Sequence, residues 1–234
     1  MKRYPMVALG ASAAALIAAT TLAAGPVQAH SPKSDDNDKT VTLTAHLKQL
    51  NGSGASGTAT AVVRDEKIKH IEVHARGLTP DAPHAQHIHY GNQALNECPT
   101  IALDANKDGR LNTLEGVPAY GPVVVSLNTT GDTTPASFLD VTRFPISKDG
   151  RYNYSRNNIR FTDVAGTGYP GPGGLGTAKE IAEAIRDGEG VLVIHGVDYD
   201  HDGKYSFSKG ASELDPKLPA EATDPAACGV LKRH

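Results

Sequence analysis

The chain has 234 residues and a formal net charge of −3, with 10 histidines, 2 cysteines and no tryptophan. That mild acidity, without a basic stretch, excludes an electrostatic nucleic-acid binder. The 24 glycines and 15 prolines speak for a loop-rich β protein and against a helix bundle.

Lys2 and Arg3 precede an Ala/Leu-rich core running from Val7 to Ala24, and Val27-Gln28-Ala29 fits a small-residue cleavage site. Residues 1–29 therefore read as a signal peptide, and the protein is expected to be secreted after cleavage behind Ala29. Loss of those two bases, with no acid in the leader, takes the charge from −3 to −5. The apolar core is short and no second one follows, so stable membrane insertion is not expected. Residues 30–39 (HSPKSDDNDK) are polar and predicted disordered. A mature N-terminal His30 offers an amine and a ring for copper, but the acidic, flexible stretch behind it argues against a rigid site. Residues 40–234 are read as one β domain.

From Thr40 the pattern alternates. Val41, Leu43 and Ala45 share one face of a strand. Further strands are predicted over residues 57–64 and 68–75, the latter with Ile71, Val73 and Ala75 inward and His70 and His74 at the surface. Residues 84–98 read HAQHIHYGNQALNEC. On a strand, His87 and His89 project to the same side, a spacing that suits a borderline-soft ion such as copper or zinc. A solvated strand face would show the same pattern. Cys98 and Cys228 are the whole cysteine complement, and in an exported chain they are expected to pair.

Residues 104–115 (DANKDGRLNTLE) match the calcium-loop pattern D-x-[DN]-x-[DN]-G-x5-E in full. Asp104, Asn106 and Asp108 would give side-chain oxygens, and Arg110 its carbonyl. Asn112 would reach the ion directly or through water, and Glu115 would clamp it with two oxygens. Pro99 upstream, with Gly116 and Pro118 downstream, predicts that no helix pair flanks the loop and that any exiting helix stops after about a turn.

Residues 123–127 read as a strand. Residues 138–145 and 151–161 read as two more, joined across an Asp149-Gly150 turn. Residues 166–176 form a Pro/Gly loop. Residues 177–187 (TAKEIAEAIRD) are the one convincing helix, with Thr177 and Glu180 as a capping box. Residues 190–197 (GVLVIHGV) are an apolar strand carrying His195, which needs a metal or a hydrogen-bond partner because an unpaired buried nitrogen costs about 1–3 kcal/mol. Asp198, Asp200, Asp202 and Gly203 imitate half a calcium loop. Lys209 at position 12 cannot ligate, which favours a hairpin turn over a second calcium site.

Taken in order, Leu50-Asn51-Gly52-Ser53-Gly54, Gly57-Thr58, Gly77-Leu78-Thr79, His87-Ile88-His89, Cys98, Val193-Ile194-His195 and Ala227-Cys228-Gly229-Val230 resemble copper/zinc superoxide dismutases. The middle and end of the chain resemble CHRD (chordin-type) domains of secreted bacterial proteins. The resemblance implies an all-β Greek-key barrel of the dismutase type with one short helix inserted. It makes His87, His89 and His195 copper ligands and Cys98–Cys228 the family disulfide. Two departures stand out. No histidine lies between His89 and His195, so the bridging and zinc histidines have no counterpart, and Pro225 replaces the arginine that guides the anion. The expectation is a secreted metal-binding β-barrel protein with a calcium loop and a zinc-less copper site, non-catalytic or weakly active. The alternative is a zinc-free, copper-dependent dismutase or related extracellular redox enzyme. The sequence names no protein or cell-surface partner.

Overall fold

The computed structural model describes residues 40–164 and 176–233. The predicted signal peptide, His30, the 30–39 segment and the Pro/Gly stretch up to residue 175 lie outside the described residues. The chain is mostly antiparallel β. Strands β1 (Val41–Gln49), β2 (Ser56–Arg64), β3 (Lys67–Arg76) and β4 (Gln86–His89) come first. Helix α1 (Thr113–Tyr120), strands β5 (Val123–Ser126) and β6 (Arg151–Arg160), and helix α2 (Ala178–Arg186) follow. Strand β7 (Val191–His195), the single-turn helix α3 (Ala220–Thr223), and strands β8 (Pro225–Val230) and β9 (Lys232–Arg233) complete it. The sheet runs β5-β4-β7-β8-β1-β2-β3-β6, with β9 also on β1, and curls into a half-barrel.

Period-2 alternation builds the main core. Leu43, Ala45 and Leu47 of β1, Ala59, Ala61 and Val63 of β2, and Ile71 and Val73 of β3 all point into it. Ile68 also lies inward, three residues before Ile71, which strict alternation forbids. A bulge between Val62 and Val63 resolves the conflict by leaving one residue of β3 unopposed. The parity of β6 changes at the same level, from Tyr152 and Tyr154 to Ile159, with Asn158 at φ 55° absorbing the twist. Helix α2 closes part of this core with Ile181 and Ile185. Its Thr177/Glu180 capping box forms as the sequence predicts.

Two expectations are corrected. Residues 138–145 are not a strand. A single 3-10 turn at Pro135–Ser137 precedes them and another, Val141–Arg143, lies within them. Arg143 fixes them, bonding Asp140 at 2.6 Å, Asp132 at 3.1 Å and the Thr130 carbonyl at 2.8 Å. Local ion pairs thus override the strand propensity of the segment. The Asp149-Gly150 turn does form, with both residues at positive φ and Lys148 bridged to Arg151. The second correction concerns α1, which runs eight residues through Gly116 and Pro118. An Asn112/Glu115 capping box starts it, and Tyr120 folds its ring over Gly116, where a β-carbon would collide.

Cys98 and Cys228 are bonded, with Cα atoms 5.7 Å apart. The bridge ties the long β4–β5 connection to β8 and closes a sequence separation of 130 residues. Replacing both cysteines with alanine should lower unfolding free energy in urea by up to about 5 kcal/mol, the chain-entropy figure for a loop of this length. An unchanged midpoint would show that the bridge adds nothing to stability.

Candidate metal centre

The β4 sequence alternates between two destinations. Ile88 enters the main core, and Gln86 accepts a hydrogen bond from the Tyr152 hydroxyl at 2.9 Å. His87 and His89 point to the opposite face. Strand β7 lies antiparallel to β4, with His87 opposite Val193 and His89 opposite Val191. His195, two residues past Val193, therefore emerges on the side of His87 and His89. Its amide bonds the Ala85 carbonyl at 2.8 Å, which locks that register. The three rings meet with centroids 5.2–6.2 Å apart. One ligand nitrogen from each falls within 4.8 Å of the other two.

A second, smaller apolar cluster covers this face. It contains Val117 and Tyr120 of α1, with Val191, Val193 and Cys228. Tyr120 lies 4.4 Å from the His89 ring and Phe144 lies 5.4 Å from His87. His89 is fully buried, and His87 and His195 are each 3 % exposed.

Each imidazole has one nitrogen on a backbone carbonyl. His87 Nε2 donates to Phe138 (3.1 Å), His89 Nδ1 to Gly121 (2.9 Å) and His195 Nδ1 to Thr223 (2.6 Å). A carbonyl only accepts, so those nitrogens carry the hydrogens and the others carry lone pairs. The remaining nitrogens are His87 Nδ1, His89 Nε2 and His195 Nε2. All three are buried without a hydrogen-bond partner. Three lone pairs are thus left unused within one buried cluster, each ring held by a carbonyl behind it, as the rings of metal-ligating histidines are.

Burial keeps the rings neutral. Desolvation foremost, then the neighbouring His195, holds His89 down to about 3. Desolvation brings His195 to about 4 and, with the other two imidazoles, puts His87 well below its ordinary value. Deprotonated rings at neutral pH are what a cation needs, since metal and proton compete for one lone pair. His84 is committed elsewhere. Its ring nitrogens face the carbonyls of His195 (2.9 Å) and Thr79 (3.0 Å).

The 104–115 loop is tied by its own side chains. Asp104 accepts from the amides of Asp108 (3.2 Å) and Gly109 (2.9 Å). Asn106 accepts from Asp108 (2.8 Å), and Asp108 from Arg110 (3.0 Å). Glu115 takes the amides of Ala105 and Asn112, both at 3.0 Å. The 198–203 loop repeats these bonds in the same relative positions. Asp198 accepts from Asp202 (3.2 Å) and Gly203 (2.8 Å), Asp200 from Asp202 (3.4 Å), and Asp202 from Lys204 (3.1 Å). Its three carboxylates gather within 4.8 Å of one another, a grouping that Asp104, Asp108 and Glu115 do not make among the described residues.

Sequence reasoning missed Glu221. This fully buried residue of α3 accepts from the amides of Tyr199 and Ser206. Counted from Asp198 those are the second and ninth residues, the same two positions, counted from Asp104, that Glu115 holds in the first loop. The carboxylate arrives from outside the loop, so no spacing rule could find it. The next residues serve the other sites. The Thr223 carbonyl takes His195 and the Thr113 hydroxyl (2.6 Å). Asp224 bonds Arg110 (2.7 Å) and Tyr199 (2.9 Å), and burial lifts its carboxyl to about 7.

Neither a search of protein-family models nor one of curated proteins finds a match to this chain. Among the described residues, no helix is long and apolar enough to cross a membrane.

The depressed histidines make the metal-free protein acid-sensitive. The unfolded state takes up protons near the ordinary histidine value of about 6.5, whereas the folded state resists until about pH 4 for His195 and about 3 for His89. Stability is therefore full above about pH 6.5 and falls as pH drops toward 4 and then 3. Urea midpoints at pH 7.5, 5.5 and 4.5 should decline in that order. Replacing His195 with glutamine should flatten the decline, and an equal slope in that variant would refute the assignment.

Proposed function

We propose that the protein is a secreted, copper/zinc superoxide dismutase-like β protein. In this reading His87, His89 and His195 hold a single copper ion, and residues 104–115 hold calcium. The observation that carries it is three buried imidazoles that each keep one partnerless nitrogen and that can each offer a ligand nitrogen within 4.8 Å of the other two. Left empty-handed, each such acceptor costs about 1–3 kcal/mol, so a bound cation relieves a penalty already present in the fold. Imidazole suits copper and zinc alike. The dismutase-like order of motifs favours copper and the Greek-key description of the half-barrel.

Copper in such a site supplies one-electron redox chemistry. The three carbonyl-fixed rings would hold it, and Tyr120, Phe144 and Val117 would cover it with apolar surface. Two features support weak activity or none. The rings are at most 3 % exposed, whereas rapid turnover of a diffusing anion needs an open metal. Pro225 occupies the place of the guiding arginine, and electrostatic steering supplies much of an encounter rate.

Titration of Cu(II) into metal-free protein should show one equivalent bound, lost in the His87→Ala/His195→Ala double variant, with little superoxide dismutation. Equal uptake by both proteins would remove the site. Near-diffusion-limited turnover by the wild type would establish the zinc-free dismutase instead.

Calcium is the second part of the reading. The matched motif and the amide-tied oxygens of residues 104–115 support it, and Glu221 extends it to the 198–203 loop. With a Kd of about 10⁻⁴–10⁻³ M, as in extracellular modules, about 10 mM calcium should stabilise the fold by about 1.4–2.7 kcal/mol per site. Calorimetric titration should resolve two classes of site, one lost in Glu115→Gln and the other in Glu221→Gln. A calcium-independent melting temperature would reduce both loops to turns.

A further inference from the structure

We infer that the hydroxyl of Ser126 positions a fourth, exogenous ligand at the His87/His89/His195 centre, either water or an anion of two or three atoms. The inference rests on the reading of that centre as a metal site. Ser126 ends β5 and lies directly opposite His87 of β4. The neighbouring Leu127 amide bonds the Gln86 carbonyl at 2.9 Å, while the Ser126 amide turns away to Thr133, also at 2.9 Å. His87 and Ser126 are therefore a non-hydrogen-bonded pair, the kind whose side chains stand closest. Directly opposed residues share a face, so Ser126 stands on the face of the three histidines.

Its hydroxyl is fully buried and has no partner. The other buried serines are satisfied. Ser137 bonds Asn128, Ser147 bonds the Thr79 carbonyl, and Ser212 accepts from Thr223. The unpartnered nitrogen of His87 is Nδ1, the one nearer the backbone. A short serine side chain on the adjacent strand likewise stays close to the backbone.

Three histidines leave one position of a tetrahedral site open. A hydroxyl is a poor direct ligand for a borderline-soft ion, but it both donates and accepts hydrogen bonds. It therefore suits the ligand that fills the open position. The near-complete burial of all four residues limits that ligand to a few atoms.

Azide is the probe. The copper(II)-loaded wild type, Ser126→Ala and Ser126→Thr are titrated with azide and followed by charge-transfer absorption, with copper uptake measured separately. Ser126→Ala should bind copper with unchanged stoichiometry but azide about tenfold more weakly, the loss of one hydrogen bond, and Ser126→Thr should recover the affinity. Metal-free Ser126→Ala should melt no lower than the wild type, because the hydroxyl it removes has no partner there. Equal azide affinity in wild type and Ser126→Ala, no azide binding at all, or a lower melting temperature for metal-free Ser126→Ala would overturn the inference while leaving the metal reading standing. Failure of the wild type to take up copper would overturn both.

Discussion

Three backbone carbonyls, those of Gly121, Phe138 and Thr223, set the chemistry of this molecule. Each accepts one imidazole N–H and so decides which nitrogen of that ring keeps its lone pair. Each also belongs to a segment with no regular strand partner at that point: the end of α1, the 3-10 turn after Pro135, and α3. The irregular connections are therefore the structural complement of the histidines. The strands bring the rings to one face, and the loops rotate them toward one another.

The division of labour follows from the period of a strand. On β4 and β7, alternate residues serve two environments that share only the sheet between them. Ile88, Leu192 and Ile194 enter an apolar core that needs nothing but packing. The intervening residues face a smaller cluster whose apolar members form a dry lid over polar groups. The lid raises the penalty for unpaired nitrogens and, by the same desolvation, keeps the rings unprotonated. Electrostatics and packing thus favour the same outcome, neutral rings that keep one lone pair each.

Much of this was legible in the sequence, and the limits have physical causes. Alternation placed β1 to β3, the capping box placed α2, and the His-x-His pair marked the face that His195 joins. Those signals are local. Residues 138–145 carry strand-forming side chains, yet Arg143 finds acceptors on three nearby residues and folds the segment into turns. Pro118 reads as a breaker, but a capping box before it and the Tyr120 ring folded over Gly116 sustain the second turn. Glu221 and Ser126 were beyond reach for a different reason. Their significance lies in a partner distant in the chain, and register between strands is not written in either strand alone.

One feature of the sheet order bears on how the chain reaches this state. Strand β8 lies between β7 and β1, joining the β5-β4-β7 group to the β1-β2-β3-β6 group. It also follows β1 to β7 in chain order. Until it docks, β1 has only β2 to pair with along its length, and the histidine face lacks both the α3 carbonyl and Cys228. Such pairings close very long loops, and folds dominated by them form slowly. The two groups of strands must therefore wait, with unpaired edges exposed, for a six-residue segment that follows both of them in the chain. A sheet built this way keeps its edges unpaired until that one segment docks, a state that is hazardous wherever other unpaired strands are abundant.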